Sequence, residues 1–203
     1  MAITSYTSLT GSLAAWLNAS TADISSVVSD LVMSAEKRIM RELRVPAMEA
    51  ALSDSITTGG LLPVPSDYIE MKYAYVDKTP VQYLQMVPTA YIYERYPTRS
   101  SDGVPTVMAR DGSNFLFGKY PDSGYTIKGI YYKHLSAIET SVNTLFTSNP
   151  DLYLYACLSE SEPILGRDRR IAIWEGKYRM VKDLINAESD RSRHGGNLSI
   201  RPG

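Results

Sequence analysis

Nucleophilic catalysis needs a nucleophile, a base and a group that orients the base. The chain has two histidines, His134 after a strand-like segment and His194 in a tail rich in Gly and Arg, and neither completes such a set. Cys157 lies in the apolar run from Tyr153 to Leu158, where a thiol is an inert core residue. As the single cysteine it excludes an internal disulfide and any multi-thiolate metal site. Glu160 and Glu162 stand two apart, so they diverge on a helix and do not make an acid–base pair. Asp102, Asp111 and Asp122 each stand beside or near a Gly, where Asp bonds its own turn. Gly59-Gly60 and Gly195-Gly196 lack the partners of a phosphate-binding or dinucleotide loop. The expectation is no catalytic, cofactor-binding or metal residue and no cofactor.

Binding chemistry is better represented. Arg167, Arg169 and Arg170 straddle Asp168 at a helix start, which reads as a solvated helix–helix corner ahead of a phosphate contact. Trp174 and Tyr178 form an aromatic stripe that reads as core rather than ligand platform. Beyond Gly195-Gly196, Leu198 and Ile200 alternate with Asn197, Ser199 and Arg201. That pattern can add a strand to the sheet edge of another chain. Tyr supplies 15 of the aromatic residues against 3 Phe and 2 Trp, which suits surfaces that are apolar but not dry.

A few elements must place these residues. Ile24, Val27, Val28, Leu31, Ala35, Ile39 and Leu43 recur at helical spacing and predict one helix over 23–44, capped by Ser20, Thr21 or Asp23. Pro46 disfavours helical geometry at Val45 and is expected to stop it there. A shorter helix over 8–18 precedes it. In the middle third, Ile69, Met71, Tyr73 and Tyr75 alternate with Glu70, Lys72 and Ala74, a half-buried strand. Residues 61–65 lead into it as an extended segment. Segments 106–110 and 113–117 flank Asp111-Gly112, read as a hairpin turn with both residues at positive φ. A second turn at 118–124 leads to a strand over 125–132, and 89–95 reads as a short helix. Asn149-Pro150-Asp151 opens a helix over 148–165 that Pro163 kinks and Gly166 ends. Asp168 caps a last helix, 168–188, with Ile171, Trp174, Tyr178, Val181 and Ile185 on one stripe. The predicted class is α+β: a helical-bundle body (1–48 and 148–189), an inserted region with a small antiparallel β-sheet (49–147), and an extended C-terminal tail (190–203).

Composition bounds the rest. With 203 residues, 44% apolar and 21% charged, the chain is globular in type, and folding should bury roughly 70% of its unfolded surface. A net charge of −1 argues against general affinity for nucleic acid. The charge is uneven: from Arg167 onward nine basic residues face five acidic ones, +4, and the remainder carries −5. No apolar run approaches the ~20 residues needed to cross a bilayer, and no basic stretch followed by an apolar run opens the chain. The expectation is a soluble protein kept in a reducing compartment. Without a continuous exposed apolar run, the isolated chain is expected to associate weakly at most.

Several segments, in this order and spacing, resemble the tailed-bacteriophage head-to-tail adaptor (connector) proteins. They are Leu62-Pro63 with Pro65-Ser66-Asp67-Tyr68-Ile69-Glu70; Phe115-Leu116-Phe117-Gly118 with Pro121-Asp122-Ser123-Gly124-Tyr125; Tyr131-Tyr132; Pro150-Asp151-Leu152-Tyr153-Leu154-Tyr155; Asp168, Trp174-Glu175 and Tyr178; and Leu198-Ser199-Ile200-Arg201-Pro202. The similarity runs from about Asp23 to the end, and the first twenty residues match nothing. Where the family often has a Trp before the Pro-Asp-Leu-Tyr helix, Leu145-Phe146 stands here, a packing substitution.

The resemblance implies a structural, non-enzymatic protein of the virion neck, made and assembled in the host bacterial cytoplasm. It implies a homo-oligomeric ring of about twelve copies, with the portal protein above, a tail or nozzle protein below, genomic DNA in the lumen without sequence specificity, and no membrane. Asn197, Leu198, Ser199, Ile200 and Arg201 would be the portal-binding tail, and Arg167, Arg169 and Arg170 a DNA or subunit contact. A stopper or tail-terminator neck protein is the near alternative. A carboxylate-dependent cell-wall hydrolase using Glu160 and a carbohydrate-binding module using exposed Tyr are alternatives of other classes.

Overall fold

The computed structural model describes residues 2–57, 59–98, 103–162 and 168–193. Among them the helices are α1 (Tyr6–Leu17), α2 (Thr21–Ile24), α3 (Val28–Glu42), α4 (Thr89–Arg95), α5 (Thr144–Ser148), α6 (Pro150–Ser159) and α7 (Arg169–Arg193). The strands are β1 (Glu49–Ser55), β2 (Leu61–Pro63), β3 (Tyr68–Val76), β4 (Gln82–Met86), β5 (Val107–Asp111), β6 (Asn114–Gly118) and β7 (Thr126–Lys133). The chain divides into two compact units, Met1–Met48 with Leu135–Gly203, and Glu49–His134.

In the helical unit, the single helix expected over 23–44 is two. Ser20 caps α2 through a reciprocal bond with Asp23, and the chain then tightens: the Ser25 and Val27 N–H groups donate three residues back, to Ala22 and Ile24. The Ser25 hydroxyl also donates to the Ala22 carbonyl, so a side chain competes with the helical ladder there. α3 ends at Glu42, earlier than Pro46 requires, because Leu43 is already extended. Arg44 satisfies the freed carbonyls of Met40 and Leu43. α6 has Pro150 at its first turn and is buried nearly all round, through Leu152, Tyr153, Leu154, Ala156, Cys157 and Leu158. It ends at Ser159; Pro163 and Gly166 lie outside the described residues. α7 buries Trp174, Tyr178, Val181 and Ile185 at the expected spacing, while Ile171 is half-buried. Leu145 and Phe146 are both buried, and Phe146 meets Tyr153 edge-on at 5.0 Å between ring centres.

The sheet differs from the small antiparallel meander expected. It has seven strands in the order β1-β7-β3-β4-β5-β6-β2, and β4 runs parallel to β5. β1 buries only Leu52, so no alternation betrays it; a seven-pair ladder with β7 makes it a strand. Leu52, Leu62, Val76, Leu84, Met108, Phe117 and Ile127, one from each strand, fall in one core cluster, so the sheet curls into a near-barrel. The β5–β6 turn is also shifted by one residue. Asp111 pairs with Asn114, the loop is Gly112-Ser113, and of Asp111 and Gly112 only Gly112 has positive φ, 58°.

A bulge in β3 changes which residues face out. Met71 pairs with Tyr131 and Tyr73 with Ile130, so Lys72 is the extra residue. Plain alternation would put Tyr73 and Tyr75 on the side of Met71. The bulge inverts the phase: Met71, Ala74 and Val76 point into the core, and Tyr73 is exposed. Gly129, opposite Ala74, permits the approach, since a Cβ there would stand 2.3 Å from the Tyr73 carbonyl oxygen.

Candidate functional site

The densest polar cluster in the helical unit centres on Arg38. Its Nε donates to Glu42 at 3.0 Å, one terminal nitrogen to Glu160 at 3.3 Å and to Ser159, and the other to Glu175 at 2.8 Å. The guanidinium lies 4.3 Å from the Tyr178 ring centre, and the Tyr178 hydroxyl donates to the second oxygen of Glu42. Lys182 reaches that oxygen too, at 3.2 Å. Arg suits this role because its planar fork offers five donors and stays charged. The Arg38 hydrogen bond holds the Glu175 carboxyl below its ordinary range. Burial pushes Glu42 upward, but hydrogen bonds and charge from Arg38 and Lys182 outweigh it and leave the carboxyl lowered. These acids are tied to cations, which makes a lock between α3, α6 and α7. Glu160, the acid of the hydrolase alternative, is one of the locked groups.

Described segments that carry the family resemblance also hold the fold. Asp67 accepts the Tyr131 hydroxyl at 2.9 Å, and burial with that bond pushes the phenol up to about 12. The Asp67 carbonyl takes the His134 N–H. Tyr68 packs edge-on against Phe115 at 5.3 Å and beneath the Arg110 guanidinium. Glu175 and Tyr178 belong to the Arg38 lock. Cys157 is fully buried, and burial pushes its thiol upward, away from the reactive thiolate. Among the described residues no group of three His, Cys, Asp or Glu could hold a metal ion, and no helix is long and apolar enough to cross a membrane.

Shared motifs that build a core identify a lineage through its fold. The family model described as SU10 adaptor protein matches residues 4–201. The chain belongs to the SU10 adaptor protein family. The match begins at residue 4, so residues 4–20, within the stretch expected to match nothing, are part of it. No curated protein matches the chain. This SU10 adaptor is therefore a structural protein of a phage virion that works by contact with other virion components.

For an adaptor, the outward faces matter most. Arg169 is exposed and makes no ion pair among the described residues, whereas Arg170 is engaged. Arg170 pairs with Asp168 at 2.8 Å, donates to the Trp16 carbonyl and lies 5.4 Å from the Trp174 ring centre. Arg167 and the tail residues Asn197, Leu198, Ser199, Ile200 and Arg201 lie outside the described residues. Lys177 sits over both Trp16 and Tyr155, at 5.6 and 5.2 Å. On the sheet, Tyr73, Tyr75 and Tyr83 form a rack with ring centres 6.5 and 6.1 Å apart; with Asp77 and Val81 they line an open groove. Asp77 is paired with Lys128.

Sequence reasoning missed one outward face. α7 carries a second apolar stripe, Ile173, Met180 and Leu184, exposed by 60%, 60% and 63%. Its signal was present as the spacing of Arg169, Ile173, Gly176, Met180, Leu184, Ala187 and Arg191 at threes and fours. Only the burial of the opposite stripe reveals that this one faces out.

Proposed function

We propose that this SU10 adaptor is a head-to-tail connector. Copies form a ring of about twelve beneath the portal, join it to the tail or nozzle protein below, and leave a lumen for DNA. The observation that carries this reading is the outer stripe of α7. Three large apolar side chains in a row on an exposed helix are the mark of a surface covered by another protein. The near-neutral chain suits a channel through which DNA slides without being retained. Arg167, Arg169 and Arg170 then face DNA or a neighbouring subunit, and residues 197–201 add a strand to the portal.

Mass measurement with and without the cognate portal tests it. The isolated chain should be monomeric or weakly associated, and a ring should appear with the portal. Deleting residues 197–203 should leave a folded chain that no longer docks; unchanged affinity would move the docking surface to the helical unit. A stopper or tail terminator would form its ring at another level of the neck, visible in the virion.

The tyrosine rack favours a second reading, glycan binding, since exposed aromatic faces along an open groove suit sugar rings. Titration of the isolated chain with a soluble β-linked hexasaccharide decides it: no shift of the tyrosine signals removes this reading.

A further inference from the structure

Resting on the ring reading, we infer that Ile173, Met180 and Leu184 of one copy dock against the α3 groove of the next, lined by Val27, Asp30, Leu31, Ser34 and Glu160.

The stripe spans eleven residues between its outer members, about 16 Å along the helix. Arg169 and Arg191 close its two ends on the same face, and neither makes an ion pair among the described residues. Gly176 sits in the middle of the stripe with nothing within 4 Å of where a Cβ would stand. The chain's own packing does not demand a glycine there, whereas close approach of another backbone uses one.

The α3 groove is the complement. It holds about 270 Å³, with apolar walls from Val27 and Leu31. Asp30 on its rim makes no ion pair among the described residues. Met33, 47% exposed, is a neighbour of Asp30 on the helix surface. The charges are complementary: the chain from Arg167 onward carries +4 and the remainder −5. Pairing of the stripe with its own copy is disfavoured. In either orientation its terminal arginines would meet arginines. Stripe and groove share no residue, so their contact is heterologous, and a heterologous contact repeated by a closing rotation makes a ring.

Cysteine cross-linking of the assembled protein tests this. Ser34→Cys and Met180→Cys are combined in one chain; both positions are exposed, and the native Cys157 is fully buried. Mild oxidation should give a ladder of disulfide-linked species from the double variant and monomer from each single one. A dimer from Met180→Cys alone would show stripe on stripe and overturn the inference. Ring-sized mass without a ladder would overturn it while leaving the ring intact. Absence of any assembly, even with the portal, would sink the ring reading itself. As an independent arm, Asp30→Arg should raise the midpoint concentration for assembly about tenfold, and Arg169→Glu with Arg191→Glu in the same chain should reverse this. No change on Asp30→Arg would count against the groove.

Discussion

Glu36 and the carboxylates around Arg38, two residues further along α3, respond to pH in opposite senses. Glu36 is 6% exposed and accepts the Ile138 N–H at 2.8 Å. Burial raises its pKa, against the lowering effect of that bond. A raised folded-state value means stability present below the unfolded pKa and lost as pH rises through the folded one. Glu36→Gln keeps an acceptor for Ile138 without a buried charge. Its unfolding midpoint should exceed that of the parent at pH 8, and the difference should vanish near pH 4. Glu36→Leu removes the acceptor and should cost about 1–3 kcal/mol. Around Arg38 the sign reverses. Glu42 and Glu175 are held below their ordinary range, so their contribution is present above the unfolded carboxylate pKa and lost as pH falls through the folded values. Arg38→Met should destabilise by roughly 1–3 kcal/mol at neutral pH, less than a fully buried pair because a quarter of the cluster's surface meets water. Equal loss at pH 3 in denaturant titrations would show that packing, not charge, is what Arg38 contributes.

Two glycines report on elements. At Gly129 an added Cβ would meet the Tyr73 carbonyl oxygen at 2.3 Å and the Ala74 Cα at 3.0 Å, both backbone atoms that cannot swing away. Gly129→Ala should therefore cost about 1–3 kcal/mol and disturb the bulge that turns Tyr73 outward. Loss of stability should come with altered tyrosine near-ultraviolet dichroism; a silent substitution would mean the β3–β7 contact is slack. Gly176 is the contrary case. It lies inside a helix with open space around it, so Gly176→Ala should stabilise the isolated chain by roughly 0.5–1 kcal/mol. The same change should weaken assembly. A variant with a higher unfolding midpoint and undiminished ring formation would remove Gly176 from the interface.

At the scale of the whole molecule, local order was legible and distant pairing was not. Periodicity and capping residues announce α1, α4, α6 and α7, because helical spacing and the chemistry of Asn149-Pro150 or Asp168 act within a few residues. The family resemblance was readable too, since its motifs recur in a set order. Tertiary structure decided the rest. β1 has one buried side chain and becomes a strand only by pairing with β7, some eighty residues away. The bulge at Lys72 inverts the faces of β3, and no period-2 pattern contains it. Arg38 gathers Glu160 and Glu175 from more than 120 positions along the chain, a convergence that no local spacing encodes. α7 shows two apolar stripes in sequence, and packing alone determines which is core and which is left for a partner. Backbone propensity and side-chain period act locally and can be read residue by residue; burial is a property of what the rest of the chain brings to a face.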